Sequence, residues 1–379
     1  MKKKYVLFSI VTLVLLVALI TSFNYFKTTN TYIDDSFNNQ TKITKGISMN
    51  LEQTAGAGDY KTVTRSSWPT EGYKFNAELS RCENGSTLSW DDTKKAVIVS
   101  GNLSDKCYVY FDLARFDETC DGSTLACRIA KQYTGTQGEN SLYYHNSTLT
   151  NGAGDNSYRY AGASDSVNNY ICLGSDATTC PDANLFRIIG VFGDQTKVIR
   201  AKSVGDQKWN TSKANAWSSS SLNTYLNGEY LTNLGTLADK IATTTWKVGG
   251  GSSTYLYDVP TTAYQYEVGS SASTTTYEAK IGLMYASDYG FAASSSAWTT
   301  KLSSYSSNTS KNWLYLGSYE WTISRYSGGT TGAFVVGGSG GVGSDAVTSS
   351  CAARPSFNLE SSVKYVSGSG SMSDPVRVN

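Results

Sequence analysis

A chain of 379 residues with 32 basic and 31 acidic side chains has a net charge of +1, which leaves no electrostatic footprint for nucleic acid. Charged residues make up 17%, against roughly a quarter in ordinary globular domains. Ser, Thr, Asn and Gly supply the polar bulk beside 27 Tyr, 8 Trp and 35 Gly, a composition that predicts β-rich extracellular modules whose turns lean on Gly and Asn.

The N-terminus, MKKKYVLFSIVTLVLLVALITSF, places three lysines before an uncharged apolar run from Tyr5 to Phe23. As a helix that run spans roughly 28 Å, close to the thickness of a bilayer core. The lysines orient the N-terminus toward the cytoplasm and the remainder outside. Ile20-Thr21-Ser22 is a poor cleavage site, so a retained single-pass anchor over residues 1–23 is expected rather than a cleaved leader. Residues 24–46 are polar and read as a stalk.

Residues 47–113 read as a small β-sandwich. Leu88 with Trp90, Val97 with Val99, and Val109 with Phe111 alternate toward one face of three successive strands. Asn84-Gly85 and Asp91-Asp92 supply turn chemistry. Residues 114–157 read as a connector with one helix, where Leu125, Ile129 and Tyr133 share a face behind a Ser123 or Thr124 cap. His145, the single histidine, is expected to be an exposed loop residue in this connector.

The last region, 158–379, reads as α+β dominated by β. NLFRIIGVF and TKVIRAK pair across Gly193-Asp194-Gln195. Leu222, Tyr225, Leu226 and Tyr230 line one face of a serine-capped helix. KIGLMYASDYGFA reads as a strand with a tight turn, PSFNL, VKYV and PVRVN as short strands, and 249–350 as long Gly/Ser loops. The whole chain is thus expected to be mostly β with minor α.

The seven cysteines suit an exported protein. Without a C-x-x-C pair or neighbouring histidines, disulfides are favoured over zinc. The spacing pairs Cys82 with Cys107, Cys120 with Cys127, and Cys172 with Cys180, and leaves Cys351 over.

Long strings here, among them SRCENGSTLSWDDTKKAVIVSGNLSDKCYVYF, NNYICLGSDATTCPDANLFRIIGVF, SSLNTYLNGEYLTNLG and ARPSFNLESSVKYVSGSGSMSDPVRVN, resemble a group of uncharacterised exported, membrane-anchored proteins of low-GC Gram-positive bacteria. The resemblance covers nearly all of the chain past the stalk and implies no particular activity. The C-terminal part is distantly similar to C-type-lectin-like domains of the formylglycine-generating-enzyme type, through the tryptophan strand YEWTIS and Arg354 in ARPSFNL. That similarity implies a lectin-like fold over 158–379. The cysteine pair usual in the closer relatives before the NWLY string is missing from 292–312.

Gly338, Gly340 and Gly343 spell G-x-G-x-x-G, the outline of a dinucleotide fingerprint. The residues after Gly343, SDAVTSSCAARP, do not open a helix, so a flexible loop is expected and no nucleotide. No catalytic set stands out. A serine triad would need His145, and a formylglycine-generating activity would need more than Cys351. Asp288 and Glu320 are the acids to weigh as a glycosidase pair, although turn and strand-edge hydrogen bonding explains them more simply. No cofactor is expected; calcium at Asp176…Asp182 or at Asp155 lacks a ligand ladder. The remaining feature is aromatic: Trp313, Tyr315, Tyr319, Trp321 and Tyr326. The first four are at odd positions, so one strand would present them together, although Gly317 interrupts the register and core packing competes. The expectation is a cell-surface binding or adhesion protein that contacts a glycan or protein ligand through the 292–350 region. An enzyme acting on wall glycan or peptide, or a structural envelope component, is the alternative.

Overall fold

The computed structural model describes residues 31–33, 46–64, 67–69, 72–102 and 105–379; the expected anchor and most of the stalk lie outside them. Among the described residues no helix is long and apolar enough to cross a membrane. The chain is mostly β with shorter helices and forms two compact units that meet at Arg115/Phe116.

The first unit contains two sheets. Thr31–Ile33, Ala96–Ser100 and Thr87–Asp91 form one, with Ala96–Ser100 in the middle. The other runs Tyr60–Val63, Ile47–Glu52, Cys107–Leu113, Tyr73–Phe75, and Arg81–Cys82 also pairs with Cys107–Leu113. Met49, Leu51, Val109 and Phe111 from the second sheet pack with Val97 and Val99 from the first, and buried Trp68 joins them. Alternation along each strand produces this interior, since every second side chain points inward. Cys82 and Cys107 are bonded as expected, tying the short strand to the sheet's centre. The expected turns form: Asp91 accepts from the Thr93 and Lys94 amides, and Gly85 adopts φ +84°.

The second unit is built on a sheet ordered Ser356–Leu359, Gln195–Arg200, Leu185–Phe192, Tyr170–Cys172, Val376–Val378, Tyr365–Ser367, with Ser157–Tyr160 and Leu142–His145 added beside Leu185–Phe192. A five-stranded sheet has the order Asp206–Lys208, Ser350–Ala352, Glu320–Arg325, Gly332–Val336, Val342–Ala346. Thr244–Lys247 pairs separately with Thr276–Ala279. The helix expected near Leu125 spans Leu125–Ala130 and is capped by Thr124, whose side chain accepts from the Cys127 amide. The serine-capped helix begins at Ser221 behind Ser220 and passes through a π-turn, Leu226–Tyr230.

Four expectations are corrected. The expected connector, 114–157, is not separate: from Phe116 on it belongs to the second unit, where the Leu125 amide donates to Val363 O and Leu142–His145 is a strand of the main sheet. His145 is on that strand, fully buried, instead of in an exposed loop. KIGLMYASDYGFA does not end in a tight turn; it enters the helix Ala286–Phe291, because Asp288 accepts from the Tyr285 amide as a capping box. Residues 249–350 are not long loops, as they hold the helices Ser253–Leu256 and Pro260–Glu267 and the hairpin Gly332–Val336/Val342–Ala346.

The glycine run turns that hairpin. Gly337 donates to Gly341 O and Gly340 to Gly337 O, while the hydroxyls of Tyr315 and Tyr289 bond the carbonyls of Gly338 and Gly340. Gly340 has φ +94°, and a Cβ there would come within 2.3 Å of Thr309 Cγ2. The expected flexible loop is therefore a packed turn that leads into a strand.

Candidate functional site

The five aromatics of the expected binding face separate. Trp313 and Trp321 are core residues, 2% and 0% exposed. The Arg187 guanidinium lies over the rings of both Trp313 and Tyr170, and the Trp313 indole donates to Tyr160 O. Trp321 donates to Gln207 O. These indoles bury a large apolar area and satisfy their N–H groups on backbone carbonyls, so neither presents a ring to a ligand. Both faces of Glu320–Arg325 are covered, so alternation there does not separate inside from outside. Tyr315 and Tyr326 are half-buried, and Tyr326 packs edge-on against Phe334. Only Tyr319 of the five stands out into solvent, its ring over Gly337 and Gly338.

The acids weighed for catalysis each face a cation. Glu320 accepts two bonds from Arg354, at 2.6 and 2.8 Å, and burial raises its pKa against that pairing. Asp288 contacts both Lys197 and Arg159. His145 lies between Phe291 and Trp298, its Nδ1 accepting from the Ala153 amide. Burial, helped by the Arg159 charge, holds its pKa down at about 3, so it is neutral. Cys351 is buried and free, its thiol pushed up to about 12 by burial and by Asp345 and Asp206. The other two expected disulfides, Cys120–Cys127 and Cys172–Cys180, are formed. Among the described residues no group of three or more His, Cys, Asp or Glu side chains is arranged to hold a metal ion. Asp155, considered for calcium, bonds Arg159 instead.

Chemistry-bearing groups converge elsewhere, on a cavity of about 180 Å³. Trp246, Tyr264, Tyr285 and Phe192 provide its aromatic walls. Gly282 allows one wall, since a Cβ there would meet the Trp246 ring at 2.8 Å. The Tyr285 hydroxyl donates to Lys247 O and accepts from the Lys247 amide, clamping the Trp246 strand. Thr245 is exposed, and Thr244, Lys247, Val268 and Asn358 are half-buried around it.

Beneath these walls are four paired charges. Arg159 Nη2 contacts Asp155 at 2.6 Å and its Nη1 contacts Asp288 at 3.3 Å; Lys197 Nζ is 2.5 Å from the other Asp288 oxygen. Arg159, Lys197 and Asp288 are all buried. Burial pushes the Asp155 carboxyl up, but the Arg159 charge and the Ser157 hydrogen bond outweigh it and hold the pKa down at about 2. Burial lowers the Lys197 pKa, with Asp288 opposing, and Phe192, Trp246 and Tyr285 place their rings around the amine. Glu267, whose pKa burial raises, accepts from the amides of Ala286 and Ser287 and from the Ser324 hydroxyl, which fixes the turn presenting Asp288.

This arrangement can receive one small polar ring or side chain, with stacking surface on the walls and hydrogen-bonding groups at the mouth. Of its members only Asp288, weighed as a catalytic acid, and Asp155, considered for calcium, were singled out in the sequence. Lys197 lies in TKVIRAK, expected only as a strand paired with NLFRIIGVF, and Arg159 carried no expected role. No protein family, curated protein or solved structure matches this chain.

Proposed function

We propose that the chain is a cell-surface binding protein, held by its N-terminal segment, whose second unit takes the terminal residue of a glycan into the cavity walled by Trp246, Tyr264 and Tyr285. The observation carrying this reading is the pairing of aromatic walls with a polar rim in a space of about 180 Å³, which suits a single sugar ring rather than an extended ligand. Sugar rings offer an apolar face for stacking and hydroxyls for directional bonds, and the rim has Thr244, Thr245, Lys247 and Asn358 to meet them. A lectin-like classification of residues 158–379 and an extracellular location belong to the same proposal. The three disulfides and the neutral, hydroxyl-rich composition support it.

Binding of the purified chain to glycan and protein arrays, repeated with Thr245→Trp, tests the reading. The bulky ring at an exposed rim position should close the mouth and abolish binding while leaving the melting temperature unchanged. Undiminished glycan binding by that variant, or binding confined to the protein array, overturns it. Protease added to intact cells should remove the two units; protection would overturn the location.

A further inference from the structure

The contact between Lys197 and Asp288 differs from the other ion pairs of the described residues in a way that has covalent consequences. A lysine amine and a carboxyl, both buried, touch at 2.5 Å inside an aromatic enclosure made by Phe192, Trp246 and Tyr285. We infer that these two residues are joined by an amide bond between Lys197 Nζ and Asp288 Cγ, an internal cross-link formed by the folded protein itself.

The groups needed for the reaction are in place. In the first step the ammonium proton passes along the Lys197–Asp288 hydrogen bond to Oδ2, giving the amine and the acid that condense. Near-attack geometry needs reacting atoms about 3–3.5 Å apart, and an amine in contact with a carboxyl oxygen stands about that far from its carbon. The nitrogen lone pair forms the C–N bond. The negative charge that develops on Oδ1 faces Arg159 Nη1, 3.3 Å away in the resting pair, which serves as a fixed electrostatic clamp. A second proton moves from nitrogen to Oδ2, the C–Oδ2 bond breaks, and water departs into the adjoining cavity. One amine and one acid give one amide and one water, with no oxidant or cofactor.

Charge balance favours the product. Cross-linking removes one positive and one negative charge together, and Arg159 keeps Asp155 as its partner at 2.6 Å. Glu267 has its oxygens engaged by two amides and a hydroxyl, so it holds the acceptor turn without competing for the lysine.

Two other pairs show why this one is special. Arg354 and Glu320 are equally buried, but a guanidinium does not deprotonate and cannot act as the nucleophile. Lys202 and Asp182 also touch at 2.5 Å, yet they are 61% and 63% exposed, where water keeps both groups ionised. The bond would close a loop of 91 residues, far longer than the separations of 25, 7 and 8 bridged by the disulfides, and would fasten the Gln195–Arg200 strand to the helix Ala286–Phe291.

Peptide mass mapping of the reduced, denatured full chain tests this directly. A branched peptide containing Lys197 and Asp288 should appear, lighter by one water than its two components, while peptides with Lys202 and Asp182 stay unlinked. Lys197→Arg keeps the ion pair and should restore the full mass. Recovery of unmodified Lys197 and Asp288 peptides from the unaltered chain overturns the inference, whether or not the variant folds.

Discussion

Both units bury acidic groups against backbone amides, as at Glu267 in the second, but the second adds ion pairs with buried cations. In the first, Asp105 accepts from the amides of Asn84 and Ser86, and Glu52 accepts from the amides of Gly58 and Leu113, so backbone N–H groups satisfy the carboxyl oxygens. In the second, Glu320 meets Arg354 and Asp288 meets Arg159 and Lys197. An amide partner belongs to a local turn and forms with it. A buried cation has its own desolvation cost, and removing either member strands the other. The first unit is therefore held mainly by a modest apolar interior and a disulfide. The second has a much larger apolar core and, within it, ion pairs between distant segments that cannot be broken singly without stranding a charge.

The sharpest way to break that contrast is to unpair a buried cation. Glu320→Ala should cost about 3–5 kcal/mol and unfold the second unit well before the first, seen as two separated transitions in calorimetry. Trp313→Ala should cost a similar amount, about 3–5 kcal/mol, because it removes a core ring that the Arg187 guanidinium lies over. Loss confined to ligand binding, with stability intact, would refute the core assignment of Trp313. In the first unit, replacing Cys82 and Cys107 by Ser should remove about 3–4 kcal/mol on the loop-entropy estimate. The transition of the second unit should not move.

Acid should act on the second unit through His145. Its folded pKa, about 3, lies below the unfolded value of about 6.5. The unfolded chain thus takes up the proton first, and stability is fully present above pH 6.5 and falls as the pH drops toward 3. From pH 6.5 to 5 the loss should be about 1.6 kcal/mol. Melting temperatures across that range, compared with His145→Phe, measure it; an identical slope in both proteins would contradict the burial of a neutral imidazole. The smallest effect should come from Tyr319→Ala, within about 0.5 kcal/mol, as expected of an exposed side chain.

Much of this could be read from residue order. Short loops paired Cys120 with Cys127 and Cys172 with Cys180, and the hairpin between Cys82 and Cys107 paired those two. Period-two alternation located the strands of the first unit, and Ser123 or Thr124 and the serine run before Leu222 marked helix starts, because a hydroxyl before an apolar stripe satisfies free amides. Alternation misled at Trp321, where the covered strand has no solvent face, and at Trp313, which is in a turn outside that strand.

The sequence alone determined the local features of this protein: its turns, caps, strand periods, short disulfides and β-rich composition, all governed by neighbours within about a dozen residues. Only the tertiary structure decided that His145 is buried, that the glycine run is a packed turn, and that Arg159, Lys197 and Asp288 share one enclosure. Those residues are 38 and 91 positions apart in succession (159 to 197, 197 to 288), and their contacts arise from sheet order and helix placement, which no local pattern encodes. The chemistry proposed for this chain lies in that long-range juxtaposition.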